Sequence, residues 1–275
     1  MPTALVTGAG RGIGRATAVR LARAGWTVLA GVRDEPSGDR LAAEDSRITP
    51  VRLDITDDTD LAALADRLPD RLDGLVNNAA IGVLGPVEAV SPADLRRQLE
   101  VNVVGQVAVT QAALPRLRTA RGRIVFISST GGRMVVPMEG AYCASKFAVE
   151  GLADALRAEL RPWHIAVSVV EPGPTDTGSW RGIDQMIDDM EEAMSPAHRE
   201  LYSRHTAGLR RVVHRLGPRA IPPDAVARVV EHALTARRPR ARYLAGTDAH
   251  MMMAMNRVLP TRVGDAVGAR ISGVG

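Results

Sequence analysis

Short apolar runs rich in β-branched residues alternate along this chain with longer segments of helical period. This alternation is typical of β-α-β units built around a parallel sheet. Seven strands are predicted, at Ala4–Thr7, Thr27–Val32, Ile48–Leu53, Gly74–Asn77, Arg123–Ser128, Ala166–Val170 and Arg242–Ala245. The pattern therefore predicts an α/β fold, a doubly wound parallel sheet of the Rossmann type, in a single domain over residues 1–275.

The segments between these strands carry helical patterns. Residues 14–25 have an apolar face at helical spacing and end at a glycine, and residues 57–68 begin with acidic residues suited to a helix start. Residues 178–222 interrupt the alternation, because they contain long helical patterns and no strand pattern. We expect this stretch to form a helical lid over a substrate site.

Composition narrows the functional class. With 275 residues, of which 45% are hydrophobic, the chain is long enough for one large core. Only 3% of residues are aromatic, which leaves few rings to stack on nucleobases, and a net charge of +4 does not demand a polyanionic partner. We therefore expect a small-molecule substrate and no nucleic acid. The lone Cys143, the lack of a leader pattern and the lack of a long apolar run predict a cytoplasmic protein without a membrane span.

A glycine-rich segment, TGAGRGIG, follows the first strand. Gly8, Gly12 and Gly14 fit the pattern T-G-x-x-x-G-x-G, with Ile13 where the commonest dinucleotide fingerprint has its third glycine. Glycine lets the backbone turn sharply and lets a pyrophosphate approach the start of the next helix, where free N–H groups favour an anion. A glycine turn alone is commonly just a tight loop. Its position between the first strand and the first helix favours a dinucleotide-binding site.

The residues after the second strand bear on the choice of cofactor. Arg33 ends that strand, and an arginine there can neutralise the 2′-phosphate of NADP(H), whereas an acidic residue would bind the 2′-hydroxyl of NAD. Arg11 supplies a second cation, and Asp34 is the competing signal for NAD. Asp54, after the third strand, is expected either to bind the adenine amino group or to cap the next helix. The two arginines favour NADP(H), although an arginine-rich chain could place them there by chance.

One lysine stands among the 35 basic residues, and this residue, Lys146, lies four positions after Tyr142 on a predicted helix. Side chains four apart project from the same helix face. An ammonium beside a phenol lowers the pKa of the phenol, which suits a general acid or base, and a planar guanidinium is no equivalent replacement. Ser129, after a strand, could bind a carbonyl oxygen that gains negative charge. The neighbouring Ser128 is the alternative for this role, and a pair of serines after a strand commonly serves only to form a turn.

Together these residues resemble the short-chain dehydrogenase/reductase family over nearly the whole chain. The resemblance rests on Thr7–Gly14, Asn77–Ala79, Asn102 in VNVVG, Ser129, Tyr142 with Lys146, and Pro172–Thr177. It implies an oxidoreductase that interconverts a carbonyl and an alcohol. In that reaction Ser129 would orient the carbonyl, Tyr142 would transfer the proton, and Lys146 would lower the pKa of Tyr142 and hold the nicotinamide ribose.

The resemblance extends to the surroundings of the cofactor. It implies that Asn102 holds a water linking Lys146 to solvent, and that the segment after Pro172 contacts the carboxamide and the diphosphate. The full set of expected cofactor contacts is Gly8, Arg11, Gly12, Ile13, Gly14, Arg33, Asp54, Asn78, Tyr142, Lys146, Pro172, Gly173, Thr175 and Thr177. Ala80 departs from the glycine usual after N-N-A, which affects only local backbone freedom. Family members are usually dimers or tetramers, so we expect a homodimer or homotetramer.

Two stretches, residues 131–152 and 28–34, are similar to the branch containing 17β-hydroxysteroid and retinol dehydrogenases. That similarity implies a lipophilic alcohol or ketone as substrate, with NADP(H) as cofactor. A deformable apolar pocket could come from methionines of the expected lid and of residues 250–258, although methionines at helical spacing are commonly ordinary core. The lid methionines are Met186, Met190 and Met194.

Two other functions stay open. The arginine-rich residues 208–215 and 235–242 could bind an acidic acyl carrier or coenzyme A in a β-ketoacyl thioester reductase, although such runs are commonly solvated surface. A non-catalytic NADPH-binding regulator would lack the serine, tyrosine or lysine, and all three are present. The six histidines are scattered and form no metal-binding motif, so no metal is expected.

Overall fold

Seven parallel strands form the centre of the molecule, of which the computed structural model describes residues 1–272. The strands are β1 (Thr3–Val6), β2 (Thr27–Val32), β3 (Ile48–Arg52), β4 (Gly74–Asn77), β5 (Arg123–Ile127), β6 (Ala166–Pro172) and β7 (Arg242–Ala245). They pair in the order β3-β2-β1-β4-β5-β6-β7. The predicted doubly wound α/β fold is therefore confirmed, and every predicted strand is found within two residues of its expected bounds.

Helices connect the strands. They are α1 (Gly12–Arg23), α2 (Glu35–Ala42), α3 (Asp58–Arg67), α4 (Pro92–Leu99), α5 (Gly105–Ala120), α6 (Gly140–Glu159), α7 (Gly178–Arg181), α8 (Ile183–Ala193), α9 (Pro196–Leu216), α10 (Pro223–Thr235), α11 (Thr247–Val258) and α12 (Thr261–Ser272). A π-helical turn, Glu100–Val104, joins α4 to α5. Both helices anticipated from sequence are present: α1 ends at Arg23, two residues before Gly25. Helix α3 begins after Asp57, whose side chain accepts hydrogen bonds from the amides of Thr59 and Asp60.

Both faces of the sheet are covered by helices. In β1, Ala4 and Val6 belong to a core cluster with α1 and α10, whereas Leu5 between them belongs to a second cluster with α3, α5 and α6. Because successive side chains of a strand point to opposite faces, a sheet covered on both sides needs apolar residues at every position. This explains why the inner strands β1, β4 and β5 are almost entirely buried along their length.

The strand order reverses between β1 and β4, which are neighbours in the sheet. The chain leaves β1 toward the face covered by α1 and leaves β4 toward the face covered by α5. Loops that depart in opposite directions leave a crevice at the carboxyl ends of these strands, where open α/β sheets bind their ligands.

Between β6 and α10 the chain forms α7, α8 and α9. These helices enclose a small apolar cluster, separate from the two sheet cores, that also includes one residue from the segment before α6. Its buried members are Met138, Ile187, Met190, Met194, Leu209 and Val213. Within residues 1–272, no helix combines the length and apolar character that crossing a bilayer requires.

Candidate active site

The glycine loop between β1 and α1 is shaped by close backbone contacts. Gly8 and Gly12 adopt positive φ angles of 62° and 56°, which favour glycine. A Cβ on Gly14 would stand 2.3 Å from the carbonyl oxygen of Gly8 and 2.5 Å from Nδ2 of Asn78. The start of α1 has no side-chain cap, so its first amides stay available to an anion. These features fit the pyrophosphate of a dinucleotide, and Ile13 instead packs against the core.

A buried threonine and an asparagine support this loop. The amides of Asn78 and Ala79 both donate to Oγ1 of Thr7 at 3.0 Å. Asn78 Nδ2 donates to the carbonyl oxygens of Thr7 at 2.9 Å and Gly8 at 3.2 Å. The side chain of Asn78 therefore holds the start of the glycine loop in place. The supporting role of Thr7 was not anticipated, because its partners follow β4, some 70 residues further along the chain.

The expected ribose end of the crevice carries two exposed arginines. Within residues 1–272, the guanidinium groups of Arg11 and Arg33 make no hydrogen bond or ion pair, so both are available to a ligand. Unlike these arginines, the side chain of Asp34 has a partner within the protein. Its carboxylate caps α2 by accepting a hydrogen bond from the amide of Ser37 at 2.9 Å. That interaction with Ser37 lowers the pKa of Asp34.

Asp54 lies in a turn after β3. Its Oδ1 accepts hydrogen bonds from the amide of Thr56 at 3.0 Å and from the Thr56 hydroxyl at 2.7 Å. Asp54 does not cap the next helix, since Asp57 does so. One carboxylate oxygen of Asp54 is thus engaged in the turn.

Helix α6 carries the tyrosine and the lysine. Lys146 is only 2% exposed, and its Nζ donates to the carbonyl oxygen of Ile127 at 2.8 Å. The same Nζ lies 5.8 Å from the centre of the Tyr142 ring, so the two side chains are neighbours, as their spacing predicts. Burial lowers the pKa of Lys146 to about 8, and the nearby Glu150 opposes that effect.

Ser129 joins this pair from the end of β5. Its Oγ accepts a hydrogen bond from the amide of Gly131 at 3.1 Å, and Ser129 acts on the neighbouring phenol of Tyr142, whose pKa it lowers. Ser128 is turned away, because its buried Oγ lies 2.5 Å from the place where a Cβ on Gly132 would stand. The structure therefore places Ser129, and not Ser128, beside Tyr142.

The phenol of Tyr142 differs in one respect from the expectation. Burial raises its pKa, and Ser129 opposes the rise. The lysine was expected to lower this pKa, whereas burial raises it in this structure. Tyrosine is protonated at neutral pH even at its ordinary pKa, and burial moves the pKa of Tyr142 further from neutrality.

Asn102 lies in the π-helical turn and is fully buried. Its Oδ1 accepts from the amide of Ile81 at 2.9 Å, and its Nδ2 donates to the carbonyl oxygen of Ile81 at 3.0 Å and to Oγ of Ser145 at 3.0 Å. Ser145 in turn donates to the carbonyl oxygen of Tyr142 at 2.7 Å. π-helical turns are frequent at functional sites. This one braces α6 against the loop after β4.

Gln98 extends the same network and was also missed from sequence. It accepts from the amide of Val83 at 2.7 Å and donates to the carbonyl oxygen of Ile81 at 2.9 Å. No local sequence signal distinguishes it from a surface glutamine, because its partners lie in a loop 15 or more residues away.

The segment after β6 returns to the glycine loop. Gly173 donates its amide to the carbonyl oxygen of Ala245 at 3.1 Å, and the buried Thr175 donates its hydroxyl to the carbonyl oxygen of Gly173 at 3.0 Å. Thr177 caps α7, and its Cγ2 lies 3.3 Å from the position of a Cβ on Gly12. Residues from Pro172 to Thr177 thus close the crevice opposite α1.

The fold and these clusters define a dinucleotide-binding α/β protein with a serine, a tyrosine and a lysine grouped beside its crevice. The family model described as short chain dehydrogenase matches residues 2–188. The chain belongs to this family of oxidoreductases.

Individual relatives agree with that assignment. Retinol dehydrogenase 5 of Mus musculus is 38% identical over 95% of this chain and 86% of its own length. A short chain dehydrogenase from Burkholderia cenocepacia in complex with NADP has a TM-score of 0.75 and 27% identity, covering 98% of this chain and 97% of that one. A 3-ketoacyl-(acyl-carrier-protein) reductase from Brucella melitensis complexed with NADH has a TM-score of 0.72 and 25% identity, covering 88% and 96%. The expected likeness to the retinol dehydrogenase branch is confirmed.

Proposed function

We propose that this protein is an NADP(H)-dependent oxidoreductase that interconverts a lipophilic ketone or aldehyde and the corresponding alcohol. The observation that carries the proposal is the grouping of Ser129, Tyr142 and Lys146 at the carboxyl ends of the strands, beside a glycine loop that fits a dinucleotide. When bound, the nicotinamide would supply the hydride that reaches the carbonyl carbon, or accept it in the reverse direction.

In the direction of reduction, the phenol of Tyr142 donates its proton to the carbonyl oxygen. A proton donor must be protonated, and tyrosine is so at neutral pH; burial raises the pKa of this phenol further. The hydroxyl of Ser129 donates a hydrogen bond to the same oxygen as negative charge develops on it. Lys146 uses one of its three N–H donors on Ile127, which leaves two for the forming phenolate and for a ribose hydroxyl.

The preference for NADP(H) rests on charge. Arg11 and Arg33 are exposed and free of ion pairs within residues 1–272, which leaves both for a 2′-phosphate. Asp34, the residue that would favour NAD, is committed to capping α2. The complex of the Burkholderia cenocepacia dehydrogenase with NADP is in keeping with this preference, while the Brucella melitensis reductase is a relative complexed with NADH.

The lipophilic substrate is supported by the helices after β6. Met190 and Met194 pack with Ile187 and Met138 in an apolar cluster, and a Cβ on Gly82 would meet Met186 at 3.7 Å. This apolar surface beside the loop after β4 suits a lid over an apolar substrate. Of the methionines of α11, Met251 and Met255 are exposed, whereas Met253 is buried.

A β-ketoacyl thioester reductase remains the second candidate, in view of the Brucella melitensis relative. It would use the arginine-rich runs to hold an acidic carrier. In the first run, Arg210 is engaged within the protein, because it is paired with Asp188 and with Glu191 at 2.8 Å, both on α8. His214 of the same run contacts Asp184 at 3.1 Å.

The test is NADPH oxidation with a panel of steroid ketones, retinal, aryl ketones and a β-ketoacyl thioester. Tyr142→Phe should abolish turnover of the reactive substrate while leaving NADPH binding, followed by cofactor fluorescence, within about twofold. Ser129→Ala should lower kcat by a factor of about 100 or more, and the matched control Ser128→Ala should not. Comparable turnover in Tyr142→Phe would contradict the proposal. Activity confined to the thioester would favour the second candidate.

A further inference from the structure

A cavity of about 620 Å³ lies at the edge of the sheet, beside β7, which is the last strand in the sheet order. Side chains from α10, β7, the first turn of α11 and the segment after β5 contribute to its walls. None of the candidate catalytic residues and none of the expected cofactor contacts lines this cavity. The cavity is therefore a candidate binding site separate from the crevice at the glycine loop.

Positive charge predominates in the walls of the cavity. The basic side chains that line it are Arg133, Arg228, Arg240, Arg242, His232 and His250. The acidic side chain of the lining is that of Glu171, which is fully buried and lies 3.4 Å from Arg242 and 3.5 Å from Arg133. These two arginines balance the charge of Glu171, so a negatively charged ligand meets Arg228 and Arg240 as excess positive charge.

The guanidinium groups of Arg240 and Arg228 are available to a ligand. The backbone of Arg240 is fixed, because its amide donates to the hydroxyl of Tyr243 at 2.8 Å. Its side chain, in contrast, makes no hydrogen bond or ion pair within residues 1–272. The guanidinium of Arg228 lies 3.6 Å from Asp224, whose two carboxylate oxygens already accept hydrogen bonds from Arg20 at 2.8 and 2.7 Å. Arg228 is thus only weakly engaged within the protein.

Contacts with other elements hold the remaining two arginines in place. Arg242 donates from Nε to Glu150 at 2.9 Å and from Nη2 to Asp154 at 2.7 Å, and both acceptors lie on α6. Its side chain nevertheless stays 30% exposed. The carbonyl oxygen of Arg133 accepts from the side chain of Asn256 at 2.9 Å, which ties this residue to α11. A guanidinium that is already held by carboxylates needs little further ordering to bind a ligand.

We propose that this cavity binds a phosphate ester of a small organic molecule. Guanidinium groups that approach from several elements suit a phosphate, because its oxygens point in tetrahedral directions and each planar fork can bind two of them. The volume of about 620 Å³ is typical of a small-molecule site and exceeds what a phosphate ion alone would fill. Val229, Leu244 and the ring of Tyr243 supply apolar wall for the organic part. This binding does not depend on the proposed reductase function.

The experiment is titration calorimetry in the presence of saturating NADPH, so that the probes do not enter the cofactor crevice. The probes are glucose 6-phosphate, adenosine 5′-monophosphate and inorganic phosphate, with glucose and adenosine as the matching neutral compounds. The variants are Arg240→Gln and Arg228→Gln, and thermal unfolding checks that each is folded. Arg237→Gln is the matched control, because Arg237 is an exposed arginine of the same run as Arg240 and does not line the cavity.

We expect at least one of the two esters to bind with a Kd below about 1 mM, more tightly than inorganic phosphate and than its neutral counterpart. Arg240→Gln and Arg228→Gln should each weaken that binding about 10-fold, because each loses charge-assisted hydrogen bonds, and Arg237→Gln should stay within about twofold of the wild type. The tighter of the two esters identifies the source as a sugar phosphate or a nucleotide. Binding of inorganic phosphate alone would mean an adventitious ion only and overturns the proposal. So does the absence of binding by both esters, or ester binding that neither cavity variant weakens.

Discussion

Replacing Lys146 with methionine should make the cofactor-free protein more stable at neutral pH while removing its activity. Lys146 is 2% exposed, and burial lowers its pKa from the ordinary value of 10.5 to about 8. That difference corresponds to about 3 kcal/mol by which folding disfavours the charged amine. Between pH 8 and 10.5 the unfolded chain binds more protons at this lysine than the folded protein does, so stability rises with pH in that window.

Methionine removes the ionisation but also the hydrogen bond to Ile127, which costs about 1 to 2 kcal/mol. At pH 7 the relief of about 3 kcal/mol exceeds that loss, so Lys146→Met should be about 1 to 2 kcal/mol more stable than the wild type. At pH 10 the penalty on the wild-type lysine falls below about 1 kcal/mol, and the order should reverse or the two should be equal. Only the difference between the two proteins is interpreted, because all other groups titrate in both.

The assay uses the fact that the chain contains one lysine. Lysine labelled with ¹³C at Cε gives a single signal in the folded protein, and its chemical shift against pH reports the pKa directly. Urea unfolding of both proteins at pH 7 and pH 10 gives the stability difference. A titration midpoint above about 9.5, or a stability difference that does not change with pH, would refute the reasoning from burial.

Three further outcomes follow from other contacts. Gly14→Ala should weaken NADPH binding at least about 10-fold, because its Cβ would stand 2.3 Å from the Gly8 oxygen. The control Gly151→Ala should bind NADPH normally, because no atom lies within 4 Å of the position of its Cβ. Fluorescence titration measures both affinities. Arg33→Asp should lower the kcat/KM preference for NADPH over NADH by about 100-fold, and an unchanged preference would exclude a 2′-phosphate role. Arg20→Ala should lower the free energy of unfolding by roughly 1 kcal/mol, since the Arg20 side chain forms ion pairs that join α1 to Asp224 and Glu231 of α10. The loss should be smaller at 1 M salt, which screens exposed charges, and thermal unfolding at both salt concentrations tests this.

The inner strands were predictable because they are covered on both faces and so read as apolar runs, whereas the edge strand β3 has exposed residues at Thr49 and Arg52. β6 marks the limit of that reasoning. The apolar run stops at Val170, yet the strand continues through Glu171 to Pro172. Glu171 is fully buried between Arg242 at 3.4 Å and Arg133 at 3.5 Å, which come from β7 and from the segment after β5. A charged residue in a core strand depends on remote partners, and local pattern does not contain them.

The candidate site divides in the same way. Tyr142 and Lys146 were predictable because their spacing along one helix places them together. The family resemblance favoured Ser129 over Ser128, and the physical difference between them lies in the tertiary structure, where Gly132 lies against Ser128.

The single lysine can now be explained by its surroundings as well as by its chemistry. Around Nζ the fold provides the carbonyl oxygen of Ile127 as a hydrogen-bond acceptor at 2.8 Å. An arginine at this position would bring five N–H donors into a site that is 2% exposed, and donors without acceptors are costly to bury. Its pKa would also stay far above neutrality, so the guanidinium could neither release nor take up a proton near pH 8. At an exposed position, water satisfies the N–H donors and no particular pKa is needed. Arginine is therefore suitable at the other basic positions, and lysine is required only at 146.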